Sequence, residues 1–110
     1  QQELFISYYE TESAANVFWK GASDFESLSE VEENRYRMMM HSMYFHLVNA
    51  WKLERDGSDL RRLRSAWEAT LRHPGQRRIY EKSGRALLQR DPDITEFVEE
   101  IYNELESQAA

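Results

Sequence analysis

Between Asn34 and Trp51 the chain reads NRYRMMMHSMYFHLVNAW, and its apolar positions do not settle on one face. At about 100° per residue, Tyr36, Met40, Met43, Leu47, Ala50 and Trp51 share one side of a helix, with Met39 and Tyr44 flanking it. A second strip, Met38, His41, Phe45 and Val48, lies on the opposite side among Ser42, Asn49 and Lys52. A helix that is apolar on two sides is either central in its fold or also meets a partner.

The same period runs through the rest of the chain. Phe5, Tyr8, Tyr9, Ala15, Phe18 and Trp19 predict a first helix from about Gln2 to Gly21, broken there by glycine and the Ala-Ser-Asp that follows. Ser29-Glu30-Val31-Glu32 is a capping box, in which the serine hydroxyl and the glutamate carboxylate each accept from the other's amide. It starts a second helix, predicted to run to about Asp56 and stop at Gly57. Ser58 caps a third helix with the stripe Leu60, Leu63, Trp67 and Leu71, ended by His73-Pro74-Gly75. A fourth runs from Gln76 to Arg90 and carries Ile79, Tyr80, Ala86, Leu87 and Leu88. Asp91-Pro92 opens the fifth, whose stripe is Ile94, Phe97, Val98, Ile101, Tyr102 and Leu105. The expected fold is all-α: one antiparallel helical bundle over residues 1–110, about five helices, with one layer broken at Pro74-Gly75.

Composition agrees with a helical domain that has a real core. Of 110 residues, 41% are apolar, with only four glycines and two prolines to break helices. The absence of cysteine excludes disulfides, thiolate metal sites and thiol nucleophiles. No apolar run approaches the roughly 18 residues of a membrane span. The chain begins at Gln1, and is read as a segment of a longer protein.

Charge is segregated. Residues 1–51 carry 8 acids and 3 bases, residues 52–90 carry 5 acids and 11 bases, and residues 91–110 carry 7 acids and no base. The basic middle holds Arg61, Arg62, Arg64, Arg72, Arg77, Arg78 and Arg85. Arg61, Arg62, Arg64, Arg77 and Arg78 form a candidate patch for an anionic partner such as phosphate or anionic lipid. The plainer reading pairs these arginines with Glu30, Glu32, Glu33, Glu96, Glu99 and Glu100 inside the bundle. A sequence pI near 5.1 weighs against nucleic acid as the partner, and the Pro-Gly turn is weak support for a DNA-reading helix-turn-helix.

Little in the chain points to catalysis or metal. His41 and His46 are five apart and diverge by about 140° on a helix. There is no Glu-x-x-His and no His-x-x-x-His. A copper(I) site from Met38, His41 and Met43 is chemically open, against methionine as core filler. No nucleophile elbow or phosphate-cradling glycine loop occurs. Glu12 and Glu54 are the acids nearest an inner face, where pairing with arginine is the ordinary outcome. No catalytic residue, metal ligand or cofactor is assigned.

Several short motifs resemble a widespread set of uncharacterised bacterial helical domains. They are Glu33-Asn34-Arg35-Tyr36 after the helix cap, a long aromatic helix ending near Asn49-Ala50-Trp51, the turn Pro74-Gly75-Gln76-Arg77 with Tyr80 after it, and Glu96-Phe97 opening the last helix. The resemblance covers most of residues 12–102. The family more often has a Trp pair where this chain has Ile79-Tyr80. It implies a domain of unknown function behind a single N-terminal transmembrane helix. It further implies a bacterial inner-membrane protein whose domain faces the cytoplasm if basic residues follow the span. No activity or functional residue carries over.

Two functional expectations follow. One is a non-catalytic interaction module that self-associates or docks a protein partner at a membrane, with Met38, His41, Phe45 and Val48 as the interface. The other is a small-molecule binding domain or enzyme with an aromatic pocket among Tyr8, Trp19, Tyr44, Trp51 and Trp67.

Overall fold

The computed structural model describes the backbone of residues 2–54 and 60–109, and side chains from residue 13 onward within those ranges. The fold is an all-α helical bundle. Its elements are α1 (Gln2–Ser23), a short 3-10 turn (Phe25–Ser27), α2 (Glu30–Glu54), α3 (Leu60–Leu71), α4 (Pro74–Ile79), a π turn (Tyr80–Gly84), α5 (Arg85–Leu88) and α6 (Pro92–Ala109). The segments from α4 to α5 form one continuous rod. The predicted ends of α2 and start of α3 at Asp56, Gly57 and Ser58 lie outside the described residues.

Local chemistry sets the helix ends. The capping box at Ser29 forms as its sequence predicts: Ser29 N–H donates to Glu32 Oε1 at 2.9 Å, and Glu32 N–H donates to Ser29 Oγ at 3.1 Å. Asp91 caps α6, its Oδ1 accepting from the amides of Asp93 and Ile94 at 3.1 and 3.4 Å. The chain breaks between α3 and α4 as expected, with Pro74 in the first turn of α4, where its missing amide costs nothing.

Consecutive helices run antiparallel. Lys20 of α1 pairs with Glu32 of α2 at 3.0 Å, and Arg35 of α2 donates to Ser13 of α1 at 3.2 Å. Along the rod and α6, Arg85 meets Glu99, Glu81 meets Tyr102 and Arg78 meets Glu106, so one ascends as the other descends. Both α1 and α3 pack on α2, while α6 packs on α3 and α5. The core between them is built from Tyr36, Met40, Tyr44, Leu47 and Trp51 of α2, Leu63, Trp67 and Leu71 of α3, Ile79, Tyr80 and Leu88 of the rod, and Ile94, Val98 and Ile101 of α6.

The first helix continues through Gly21 to Ser23. Of its expected stripe, Phe18 is half-buried against the core, Ala15 and Trp19 are exposed, and the side chains of Phe5, Tyr8 and Tyr9 lie outside the described residues. Among the described side chains of this helix, Val17 and Ala22 are buried instead. Gly21 is not a breaker here. A Cβ at that position would fall 2.5 Å from the Tyr36 ring, so the missing side chain is what lets the ring pack flat on α1. Gly84 plays the same part in the π turn, where a Cβ would meet the Tyr44 ring at 2.6 Å.

Candidate functional site

α2 separates its apolar residues into two sets. The inner set of Tyr36, Met40, Tyr44, Leu47 and Trp51 is buried. On the outer side Met38 is 71% and Phe45 56% exposed, while His41 and Val48 are half-buried. Of the four residues singled out from the sequence, all stand on the same outer side, flanked by exposed Asn34, Asn49 and Lys52. The structure adds Val31, 69% exposed, one heptad before Met38. Val31, Asn34, Met38, His41, Phe45, Val48 and Lys52 thus alternate three and four apart along one exposed face, the spacing of a two-helix seam. In the sequence Val31 stands alone among Glu30, Glu32 and Glu33, and only its exposure joins it to the strip.

Beside this strip lies a groove of about 660 Å³ between α2 and the corner where α5 turns into α6. Phe45, Val48, Leu87, Leu88 and Ile94 make its apolar walls, and Lys52 and Arg90 stand at its rim. Among the described residues neither Lys52 nor Arg90 has an ion-pair partner. Asp91 at the same rim is already occupied in capping α6.

His41 sits where the strip meets the rod. Its Nε2 shares a hydrogen bond of 2.9 Å with Ser83 Oγ in the π turn, and its ring lies 5.9 Å from that of Tyr44. The wider π turn, closed by Arg85 N–H donating to the Tyr80 carbonyl, brings Ser83 and Gly84 round to face α2. Burial, with the nearby Arg37 charge, lowers the His41 pKa below its ordinary value. Met43 lines the separate groove between α2 and α3 together with His46, so Met38, His41 and Met43 do not converge on one metal position. No cluster of three or more histidines and acids suited to a metal occurs among the described residues.

The arginine block is drawn inward. Arg77 is only 4% exposed. Its Nη1 donates to the carbonyls of Leu71 and Arg72 at 3.0 and 2.7 Å, and its Nε donates to Glu106 at 3.2 Å. It therefore closes the C-terminal end of α3 from inside the bundle. Arg64 pairs with Glu68 at 3.1 Å and reaches Glu100 and Glu104 on α6. Arg78 pairs with Glu81 and with Glu106. Arg61 and Arg62 are exposed on α3. Arg85 pairs with Glu99 and lies over the rings of Tyr80 and Tyr102 at 5.2 and 5.0 Å, and the glutamate raises its pKa further. Of the acids expected to neutralise the block, Glu99 and Glu100 do so; Glu32 pairs with Lys20, and Glu33 with Arg37 and Lys82.

Of the aromatic residues proposed as a pocket, Tyr44 and Trp67 alone are in ring contact with each other among the described residues. Tyr44 stacks on Trp67, with centroids 5.9 Å apart and planes 14° apart. Trp51 packs on Phe97 at 4.9 Å. Trp19 is exposed at the edge of His73, 5.8 Å away. The side chains of Tyr8 and Glu12 lie outside the described residues, and Glu54 is half-buried with no cavity around it among the described pockets. Among the described residues, five buried polar atoms have no hydrogen-bond partner within the protein: the phenol oxygens of Tyr36, Tyr44 and Tyr80 and the indole nitrogens of Trp51 and Trp67. Burial pushes all three phenol pKa values up.

The turn Pro74-Gly75-Gln76-Arg77 is consumed by structure: Pro74 begins α4, Gly75 touches α1, Gln76 Oε1 accepts from the His73 amide at 2.8 Å, and Arg77 closes α3. No helix among the described residues is long and apolar enough to cross a membrane. No family model, curated protein or solved structure matches the chain.

Proposed function

We propose that this chain is a non-catalytic interaction module that self-associates through the outer strip of α2. The observation that carries this reading is the exposure of Val31, Met38 and Phe45 on a helix whose inner face already fills the core. None of the three belongs to the core cluster or packs against it, so a line of large apolar side chains there calls for a second surface. The pairing of Arg64, Arg77 and Arg78 with glutamates of the same chain favours the strip over the arginine block as the docking surface.

Sedimentation over a range of concentrations tests it, with the Phe45→Glu chain in parallel and helicity followed by circular dichroism. The expected result is a concentration-dependent dimer that Phe45→Glu converts to a helical monomer. A wild-type chain that stays monomeric, or a Phe45→Glu chain that loses its helicity, overturns the reading.

The membrane setting rests on the sequence resemblance alone. In that setting the domain sits on the cytoplasmic side of a bacterial inner membrane, and tethering in a plane raises its effective concentration for self-association. Fractionation of the natural gene product, with a reporter that is active only in the cytoplasm fused to its C-terminus, tests the placement. Recovery with soluble protein would exclude it.

A small-molecule site is the second reading. The groove of about 660 Å³ supports it, because its size is that of an ordinary ligand pocket and Tyr44, with an unpartnered phenol oxygen, lines it. A metabolite that raises the melting temperature of wild type but not of Leu87→Arg would favour this reading.

A further inference from the structure

The outer strip carries information about how its partner is oriented. We infer that α2 pairs with the α2 of a second copy, antiparallel and in one register; this rests on the self-association proposed above.

Three observations converge on that arrangement. The first is spacing. Val31, Asn34, Met38, His41, Phe45, Val48 and Lys52 follow the alternating three-and-four pattern that keeps a seam against a facing helix.

The second is charge. Glu26 and Glu30 are exposed at the N-terminal end of α2, and Lys52 and Arg90 are exposed at its C-terminal end. Among the described residues none of these four has an ion-pair partner within the chain. An antiparallel pair sets each acidic end against a basic end. A parallel pair sets Lys52 against Lys52 and Glu30 against Glu30, and like charges in register are repelled. The helix dipoles act in the same direction, since antiparallel neighbours place positive ends beside negative ends.

The third is register. An antiparallel seam layers the two kinds of heptad position against each other. Met38 then faces Val48 of the second copy, His41 faces Phe45, and Asn34 faces Lys52. This register sets His41 against Phe45 in the two central layers, Met38 against Val48 outside them and Asn34 against Lys52 beyond, brings Lys52 within a turn of Glu30, and leaves Val31 at the outer edge of the contact. Slipping by one heptad sets Phe45 against Asn34 in one direction, and His41 against Lys52 in the other. Ala86 and Leu87 of the groove wall flank the seam and widen the contact.

The size of the contact sets its strength. The 25 residues of α2 span about 37 Å. A single helix stripe of that length, widened by the α5 wall, falls short of the roughly 800 Å² per partner of a standard interface. The contact is therefore of the small size found in weak and transient complexes.

The absence of cysteine makes the geometry directly testable. Met38→Cys and Val48→Cys chains, alone and mixed in equal amounts, are exposed to mild oxidation or a short thiol crosslinker, with sedimentation run on the wild type. The expected result is a wild-type dimer and a crosslink only in the mixture. Lys52→Glu should weaken the dimer by about tenfold, a difference of about 1.4 kcal/mol. Crosslinking of either cysteine chain with itself marks a parallel or shifted pair and overturns this inference, while self-association stands. A dimer with no crosslink in any arm places the interface elsewhere and also overturns it. A monomer at every concentration overturns both this inference and the function proposed above.

Discussion

A Cβ added to Gly75 would sit 1.6 Å from the Gly21 carbonyl oxygen, so α4 crosses α1 backbone against backbone. Both glycines are buried, and neither has a positive φ, so the requirement is for space and not for a left-handed conformation. The crossing brings the start of α4 onto the end of α1, and with it the turn that carries Gln76 and Arg77.

Gly75→Ala is therefore expected to destabilise the domain by about 3 kcal/mol or more, above the usual range for overpacking, because backbone and not a flexible side chain must move. Urea denaturation followed by circular dichroism checks this. A loss smaller than about 1 kcal/mol would mean that α1 and α4 part easily, and that the crossing does not hold the turn in place.

Arg77→Met keeps the aliphatic stem and removes the guanidinium. The carbonyls of Leu71 and Arg72 then lose their donor, and Glu106 loses one of its two arginines. The expected cost is about 3 kcal/mol, since a buried ion pair broken from one side leaves its partners uncompensated. Arg62→Met, at an exposed position of the same arginine block, should change stability by no more than about 0.5 kcal/mol. Equal effects in the two variants would contradict a structural role for Arg77.

The helix ends were legible because capping is local: Ser29 with Glu32, and Asp91 with the amides that follow it, act within one turn. The all-α class and the α6 stripe were legible from period alone, with Ile94, Val98 and Ile101 buried as the pattern predicts. On α1, Phe18 packs on the core as the period predicts, while Ala15 and Trp19 do not, because part of the contact there is made by a ring on Gly21, which a count of large apolar residues has no way to weigh. Arg77 read as surface charge because the carbonyls it binds precede it on another helix and become available only when the turn folds. The π turn leaves no mark on the apolar period, and with it the His41 to Ser83 contact was out of reach. On α2, the strip from Met38 to Val48 was visible in the sequence, while its extension to Val31 and Lys52 needed the exposure of those residues to be known.

The phenol of Tyr44 gives a prediction with an unusual sign. Its ring is held by Trp67 on one side and Gly84 on another, but its buried oxygen has no hydrogen-bond partner. Removing an unpartnered hydroxyl while keeping the ring relieves a desolvation cost, so Tyr44→Phe should stabilise the domain by about 1 kcal/mol. Tyr44→Ala should cost about 4 kcal/mol through the cavity it opens. A Tyr44→Phe chain that is less stable than wild type would show that the oxygen is hydrogen-bonded in solution.

His41 sets the pH dependence above the range of the carboxylates. Burial and Arg37 hold its folded pKa below the ordinary 6.5, so the unfolded chain takes up its proton first as pH falls. The neutral imidazole is the form the fold retains against Ser83. Its contribution to stability is complete above the unfolded pKa and declines as pH falls from about 6.5 toward the lowered folded value, below which it changes no further. The carboxylates act in a separate window, below their ordinary 4.5. The Ser29 amide and Lys20 hold Glu32 down; at Glu81 burial pushes up, but the hydrogen bonds from Tyr102 and Arg78 outweigh it. Their stabilisation is lost as pH falls through their folded values. The midpoint of urea unfolding should therefore drop in two steps, and His41→Asn should flatten the upper step while leaving the lower one. An unchanged upper step in His41→Asn would mean that His41 is as well solvated in the folded chain as in the unfolded one, and that its contact with the π turn does not exclude water.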